Sequence, residues 1–193
     1  KDYLRFVRDL TGERKIKTLV NTHWHPESAG LNATLAPTAT EVISHANTRQ
    51  WLGATIRQRG DTIVHTPVKE KALPETIFYD NYSIPFRGAS IELGFMLHAH
   101  TDGDIYAFFP AQDILYTGPV LRSDDWNAVD EASNGFVGGM TDSLLMLNEL
   151  AGANTTVVPA SGTVLDQRGL TELTDMYLAL KEEMTALLRK SRS

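Results

Sequence analysis

In the first 56 residues, segments with the apolar period of a helix take turns with segments that have the pattern of a strand. Helical segments repeat their apolar residues every three or four positions, whereas the apolar runs between them are short and rich in β-branched residues. The pattern predicts, in order, a helix at 2–10, a strand at 15–21, a helix at 31–35, a strand at 41–44 and a helix at 47–56.

The middle of the chain changes character. From 57 to 85 the periodicity weakens where Gly60, Pro67 and Pro74 interrupt it, which predicts a long loop with at most one strand, near 76–79. After it, short apolar runs separated by turn residues are typical of consecutive, largely antiparallel strands. We predict these strands at 90–93, 95–98, 104–109 and 113–116.

The last third of the chain is predicted to form a polar loop at 118–139, a helix at 140–150, a strand at 155–158 and a final helix. That helix carries an apolar stripe that must pack on something, formed by Leu170, Leu173, Tyr177, Leu180, Met184 and Leu187. No repeat or linker divides the sequence. We therefore expect residues 1–193 to form a single mixed α/β domain.

Composition narrows the classes of function. Of 193 residues, 18 are Lys or Arg and 24 are Asp or Glu, so the net charge of −6 disfavours nucleic acid and anionic lipid surfaces as partners. The chain has no cysteine, so any catalytic metal must be held by nitrogen and oxygen atoms. No apolar run is long enough for a membrane span and no signal peptide opens the chain, so we expect a soluble protein. The sequence does not indicate its cellular compartment.

Histidines cluster where two predicted strands end. His23 and His25 follow the strand at 15–21, and the alternation of an extended chain places both imidazoles on one face. His100 follows a second apolar strand, and His98 precedes it by two residues on the same predicted strand face. Imidazoles at this spacing are able to hold one metal ion, although histidines in turns also bond to the backbone.

Two motifs give a resemblance to a known family. The segment 21–25 reads Asn-Thr-His-Trp-His and is followed by Gly30 and a helix, and the segment 100–104 reads His-Thr-Asp-Gly-Asp before a strand. In order and spacing these segments are similar to the metallo-β-lactamase superfamily, especially to its bacterial zinc metallohydrolases. The resemblance implies an αββα sandwich with the metal at the edge where the loops of two sheets meet.

The departures from the family pattern all fall on one side of its two-metal centre. The family's first loop reads His-x-His-x-Asp-His, and here Glu27 stands at the aspartate and Ser28 at the last histidine. Pro119 stands where the family has the aspartate that bridges two metals, and Ser161 stands at its last histidine. Three ligand positions are therefore lost and a fourth is altered.

The resemblance leaves one ligand set intact: His23, His25 and His100 match the three histidines of a single family site. We therefore expect at most one zinc ion, and none remains an alternative. Glu27 is the local candidate for a general base, although a cap for the following helix is the alternative role. Asp102 is a candidate for orienting an imidazole, and His98 is either a further partner of the site or a residue of its wall.

Three functions remain open on this evidence. The first is a divergent metallo-β-lactamase-fold protein with weak or lost hydrolase activity. The second is an active mononuclear zinc hydrolase of an ester, lactone, thioester or similar bond, and the third is a non-catalytic module that binds a small ligand or a partner. A small-molecule substrate or ligand is expected in each case, but fold membership does not choose it.

The N-terminal part is shorter than the family pattern. Only one helix and one strand precede His23, whereas the family has several strands there. An open sheet edge above an uncovered apolar face invites pairing with another chain. We therefore expect the first sheet to lack its N-terminal strands, either because the natural chain is longer, which we favour, or because a homodimer supplies the cover.

Overall fold

The computed structural model describes residues 2–12, 14–57 and 63–191 and contains two sheets that face each other, with helices on both outer sides. The helices are α1 (Asp2–Thr11), α2 (Pro26–Ala29), α3 (Asn32–Leu35), α4 (Ala46–Leu52), α5 (Val137–Leu150) and α6 (Gln167–Ser191). The strands are β1 (Thr18–Asn21), β2 (Glu41–His45), β3 (Ile56–Arg57), β4 (Ile63–His65), β5 (Thr76–Phe78), β6 (Asn81–Phe86), β7 (Ala89–Phe95), β8 (Ile105–Phe109), β9 (Ile114–Tyr116) and β10 (Thr156–Val158).

The first sheet has three parallel strands in the order β1, β2, β5. The second has five in the order β10, β9, β8, β7, β6, antiparallel except for the parallel pair β9 and β10. Strands β3 and β4 form a separate hairpin. The predicted αββα sandwich is thus confirmed, with three strands in one sheet and five in the other.

Alternation along the strands of the second sheet separates two apolar layers. Ile105 and Ala107 of β8 face the first sheet and pack with Ile43 of β2, whereas Tyr106 and Phe108 face the helix layer. The helix layer places α5 and α6 against this outer face, with a core that includes fully buried Leu115, Leu144, Leu147, Val157 and Leu170. Among the described residues, no helix is long and apolar enough to cross a membrane.

Two predictions about strands are wrong. Strand β7 passes through Gly94, where the sequence predicts a break between two strands. A glycine stands there because the Tyr106 ring of the neighbouring strand lies where a side chain would point, 2.3 Å from an ideal Cβ at that position. The strand predicted near 76–79 is β5, but the predicted loop at 57–85 also contains the end of β3, all of β4 and β6 up to Pro85. Pro85 fits in β6 because β6 is an edge strand, paired only with β7.

An open groove of about 590 Å³ lies between the sheets beside β1. Its walls are mainly apolar and its rim carries two lysines; the lining includes Lys15, Lys17, Val20, Thr22, Ile84, Phe86, Ile91 and Phe109. Within the described residues β1 pairs with β2 alone, so its other edge is free. The groove thus leaves an apolar face uncovered beside β1.

The groove predicts that the 193-residue protein binds an anionic apolar dye in its native state. We expect 8-anilinonaphthalene-1-sulfonate to fluoresce with folded protein, because the walls are apolar and Lys15 and Lys17 are cationic. Ile91→Gln, in the wall, is expected to halve the signal or more. Leu97→Gln, at an exposed leucine that does not line the groove, serves as the control. Equal fluorescence for Ile91→Gln and the unmodified protein contradicts the assignment.

Candidate metal centre

The loop after β1 is fixed by hydrogen bonds on both of its sides. Buried Asn21 and Asn32 exchange side-chain hydrogen bonds at 2.9 and 2.7 Å, which joins the end of β1 to α3. The Ser28 hydroxyl accepts from the backbone N–H of Thr22 at 3.0 Å and lies 3.4 Å from that of His23. The backbone carbonyl of Thr22 accepts from Ile105 of the second sheet at 3.0 Å. The histidine loop is therefore tied to both sheets.

The second loop, between β7 and β8, presents His100. It turns back through Asp104, whose buried carboxylate accepts from the Thr101 N–H at 2.8 Å and bonds to the Thr101 hydroxyl at 2.5 Å. Burial raises the pKa of Asp104 to about 7. These bonds close a tight turn directly after His100, at the edge where β8 begins.

The three predicted histidines lie together. Their ring centroids are separated by 5.0 Å for His23 and His25, 5.2 Å for His23 and His100, and 4.9 Å for His25 and His100. With Glu27 they form a group whose ligand atoms all lie within 4.8 Å of one another. Strand β1 ends at Asn21, so bends at 22–25 rather than an extended strand bring His23 and His25 together.

Two hydrogen-bond acceptors assign the protons of two of the rings. The Nδ1–H of His100 donates to the Ala128 carbonyl at 2.6 Å, and the Nε2–H of His25 donates to the Asp130 carboxylate at 3.0 Å. The hydrogen bond with His25 lowers the pKa of Asp130 to about 2, so this carboxylate is ionised and accepts. When each ring carries a single proton, Nδ1 of His25 and Nε2 of His100 therefore carry lone pairs.

Those two lone-pair nitrogens are only 3.0 Å apart. Such an arrangement is repulsive unless a cation or a shared proton lies between the atoms. Two nitrogens bound to one zinc ion at 2.0–2.1 Å are separated by about 3.3 Å in tetrahedral geometry. The donor set therefore fits a zinc ion in both its chemistry and its spacing.

Glu27 contributes an ionised oxygen to the same group. Its Oε1 lies 3.4 Å from Nε2 of His23 and 3.6 Å from Nδ1 of His25. The hydrogen bond with His23 lowers the pKa of Glu27 to about 2, although 67% of the side chain is exposed. The carboxylate thus reaches both solvent and the histidines.

Burial keeps the histidines in the form that a metal requires. Burial lowers the pKa of His23 to about 4 and lowers that of His100 as well, so both rings are neutral at pH 7. The Nδ1 atom of His23 is buried and has no hydrogen-bond partner in the described chain. The neutral rings of His23 and His100 thus lie beside two ionised carboxylates, those of Glu27 and Asp130.

Ser28, Pro119 and Ser161 each have structural contacts of their own. Ser28 holds the backbone of the first loop, as described above. Pro119 is buried, and its carbonyl accepts from the Asn127 side chain at 2.5 Å. The Ser161 hydroxyl donates to Asp124 at 2.8 Å.

Asp102 and His98 lie beside the group and contact other residues. The Asp102 carboxylate accepts from Trp51 Nε1 and from the Asn134 amide, both at 2.7 Å. His98 has a φ of 49° in the turn after β7, and its Nδ1 lies 3.1 Å from the Asn134 carbonyl. The prediction that His98 shares a strand face with His100 is wrong, because β7 ends at Phe95.

Asp130 is the site residue that the sequence did not reveal. It lies 105 positions from His25 in an irregular segment, so no local pattern connects the two. Ser133 donates to its Oδ2 at 2.6 Å, the Ala132 N–H donates to Oδ1 at 3.0 Å, and its own N–H donates to the His100 carbonyl at 2.8 Å. Asp130 therefore positions both His25 and the chain at His100.

Comparisons with solved structures identify the fold. The chain is similar to a metallo-β-lactamase from Pontibacter korlensis, with a TM-score of 0.69 and 17% identity over 92% of this chain and 76% of that one. It is also similar to the DIM-1 metallo-β-lactamase, with a TM-score of 0.68 and 16% identity over 93% of this chain and 76% of the other. The VMB-1 structure matches with a TM-score of 0.65 and 16% identity, covering 93% and 75%.

No family sequence profile and no curated protein matches the chain. At identities of 16–17% the structural matches show the fold alone. The chain therefore has the metallo-β-lactamase fold, and its chemistry must be argued from its own residues.

Removal of the Asp130 carboxylate tests its positioning role. We expect Asp130→Ala to weaken zinc binding by about 10- to 100-fold, because His25 loses the partner that fixes its ring orientation and tautomer. Competition with a chromophoric chelator measures the affinity. Asp125→Ala is the matched control, since within the described part of the chain that carboxylate accepts a hydrogen bond from the N–H of Trp126 alone. Equal affinities for Asp130→Ala and the unmodified protein rule out the role.

Proposed function

We propose that this chain is a divergent metallo-β-lactamase-fold protein that binds at most one zinc ion through His23, His25 and His100, with weak or lost hydrolase activity. The observation that carries the proposal is the pair of facing ring nitrogens of His25 and His100, 3.0 Å apart, with a separate acceptor on the far side of each ring. A cation or a shared proton between the two nitrogens makes this spacing favourable.

The limit of one ion rests on the residues at the second set of ligand positions. Pro119 has no side-chain ligand atom, and the hydroxyls of Ser28 and Ser161 are engaged with the backbone near His23 and with Asp124. A neutral hydroxyl is also a weaker zinc ligand than an imidazole or a carboxylate. The second family site therefore lacks the donors that would hold a metal.

The chemistry available to a single site is limited. A zinc ion held by three imidazoles supplies Lewis acidity, which polarises a carbonyl group and acidifies water. Asp130 and Ala128 position the rings of His25 and His100, and burial keeps His23 and His100 neutral. Without the family's aspartate, the orientation of a nucleophile falls to Glu27 alone, which supports weak activity.

Glu27 favours a second candidate function, an active mononuclear hydrolase of an ester, lactone or thioester. Its carboxylate is ionised, exposed to solvent and within 3.6 Å of two of the histidines, where it could accept a proton from an attacking water. Turnover separates this candidate from the first. A module that only binds a small ligand or partner is separated from both by the absence of zinc.

Metal content tests the proposed ligands. Protein purified without chelator is expected to contain zinc at no more than one ion per chain by inductively coupled plasma mass spectrometry. His25→Ala and His100→Ala are each expected to abolish uptake, because two imidazoles hold zinc poorly. Ser161→Ala is the control and should retain the metal. A ratio near two, or equal loss in all three variants, would overturn the assignment.

Glu27→Gln tests the base. If turnover of activated esters, lactones or thioesters is measurable, the amide is expected to lower it by about 10²-fold or more, because it cannot accept the proton. Zinc content should stay at the unmodified level, which distinguishes loss of a base from loss of a ligand. Unchanged turnover removes Glu27 from the reaction.

A further inference from the structure

The buried carboxylate of Asp102 joins two distant parts of the chain. The residue is 7% exposed, and its two oxygens accept hydrogen bonds from Trp51 Nε1 and from the Asn134 amide, both at 2.7 Å. Both donors are neutral, and they lie 51 and 32 positions away in the sequence. A carboxylate that is removed from water needs such donors to offset its desolvation, so the three side chains are closely fixed relative to one another.

Helix α4 holds the turn that contains Asp102. The Asn47 amide donates to the backbone carbonyl of Asp102 at 2.7 Å, and the Thr48 hydroxyl donates to that of Gly103 at 2.8 Å. Gly103 packs so closely on α4 that a Cβ there would lie 2.5 Å from the Thr48 hydroxyl oxygen. Asp102 is therefore anchored on α4 by its backbone as well as by its side chain, two residues after His100.

The other side of Asp102 holds the loop that carries Asp130. The backbone N–H of Asp102 donates to the Ser133 carbonyl at 2.9 Å, next to the side-chain bond from Asn134. The Ser133 hydroxyl donates at 2.6 Å to Oδ2 of Asp130, the same oxygen that lies 3.0 Å from Nε2 of His25. A continuous series of hydrogen bonds therefore runs from α4 through Asp102 to the acceptor of His25.

Asn134 links to Asp102 from a left-handed backbone position. Its φ is 60° and its ψ is 23°, a conformation that asparagine and glycine adopt readily and most other residues do not. Glycine fits the same backbone and lacks only the amide. Asn134→Gly therefore removes the hydrogen bond to Asp102 without straining the loop.

We propose that Asp102 is a positioning residue of the metal centre, which fixes the Asp130 loop against α4. It acts on His25 through Asp130 and on His100 through the turn that they share, and so holds the two ring nitrogens at their 3.0 Å spacing. This inference rests on the proposed function, since it concerns the same histidines. The role is indirect, because both carboxylate oxygens bond to residues other than histidine.

The zinc affinity of the 193-residue protein tests the link from both of its ends. Asp102→Asn presents an amide donor to the amide of Asn134, and Asn134→Gly removes the same bond from the other side. Each is expected to weaken zinc binding by about 10-fold or more, as measured by competition with a chromophoric chelator. Asn154→Gly, at an exposed asparagine in the turn between α5 and β10, is the matched control.

A double variant tests whether the hydrogen bond itself carries the effect. Asp102→Asn combined with Asn134→Asp exchanges the donor and the acceptor, while the new amide oxygen at position 102 still accepts from Trp51. We expect the double variant to bind zinc more tightly than either Asp102→Asn or Asn134→Asp alone, because the pair is again complementary. A double variant that is no better than the weaker single variant overturns the proposal.

The ring proton of His25 gives a readout that general support of the fold would not move. In metal-free protein with isotope-labelled histidine, we expect Asn134→Gly to speed the exchange of the His25 Nε2 proton with water, because Asp130 is held less firmly. Urea denaturation gives the free energy of unfolding of each variant. A lower free energy of unfolding with unchanged proton exchange and unchanged zinc affinity overturns the positioning role.

The histidine variants keep this test separate from that of the proposed function. If His25→Ala binds zinc as the unmodified protein does, the proposed function fails. If His25→Ala loses zinc while Asp102→Asn and Asn134→Gly bind it as tightly as the unmodified protein, the positioning role of Asp102 alone fails.

Discussion

The short contact between two ring nitrogens organises this end of the molecule. Nδ1 of His25 and Nε2 of His100 lie 3.0 Å apart because Asp130 and the Ala128 carbonyl accept hydrogen bonds on the opposite sides of the two rings. Each ring comes from a different sheet edge, and the segment that carries both acceptors spans the gap between them. Three stretches of chain must therefore keep their positions to hold the two nitrogens where a cation or a shared proton lies between them.

Ser28, Pro119 and Ser161 support the surrounding structure. Ser28 holds the backbone of the first loop, and Ser161 ties its own loop to Asp124. Pro119 is buried, with its carbonyl bonded to Asn127 in the segment that leads to Ala128 and Asp130. The contacts of Ser28 and Pro119 thus hold the segments that carry the histidines and their hydrogen-bond acceptors.

The αββα fold and the histidine group could be predicted because strong local signals carry them. The loops that follow β1 and β7 bring their histidines together at one edge of the sandwich, and the motifs around His23 and His100 have the family order. The misses have tertiary causes. Gly94 lies inside β7 because the Tyr106 ring occupies the space above it, and Pro85 is tolerated because β6 is at an edge. Asp130 was invisible because its partner lies 105 residues away.

The three-stranded sheet affects the candidate metal site through its edge strand β1. This strand carries the histidine loop at its end, yet among the described residues it pairs with β2 alone, and Thr22 lies both in the wall of the open groove and next to His23. The loop depends on the Asn21–Asn32 amide pair and the Thr22–Ile105 hydrogen bond to hold its register. A chain that paired with the free edge of β1 would therefore fix His23 and His25 more firmly and strengthen metal binding. The affinity of the 193-residue protein for a metal ion therefore depends on how firmly β1 is held as well as on the ligands themselves.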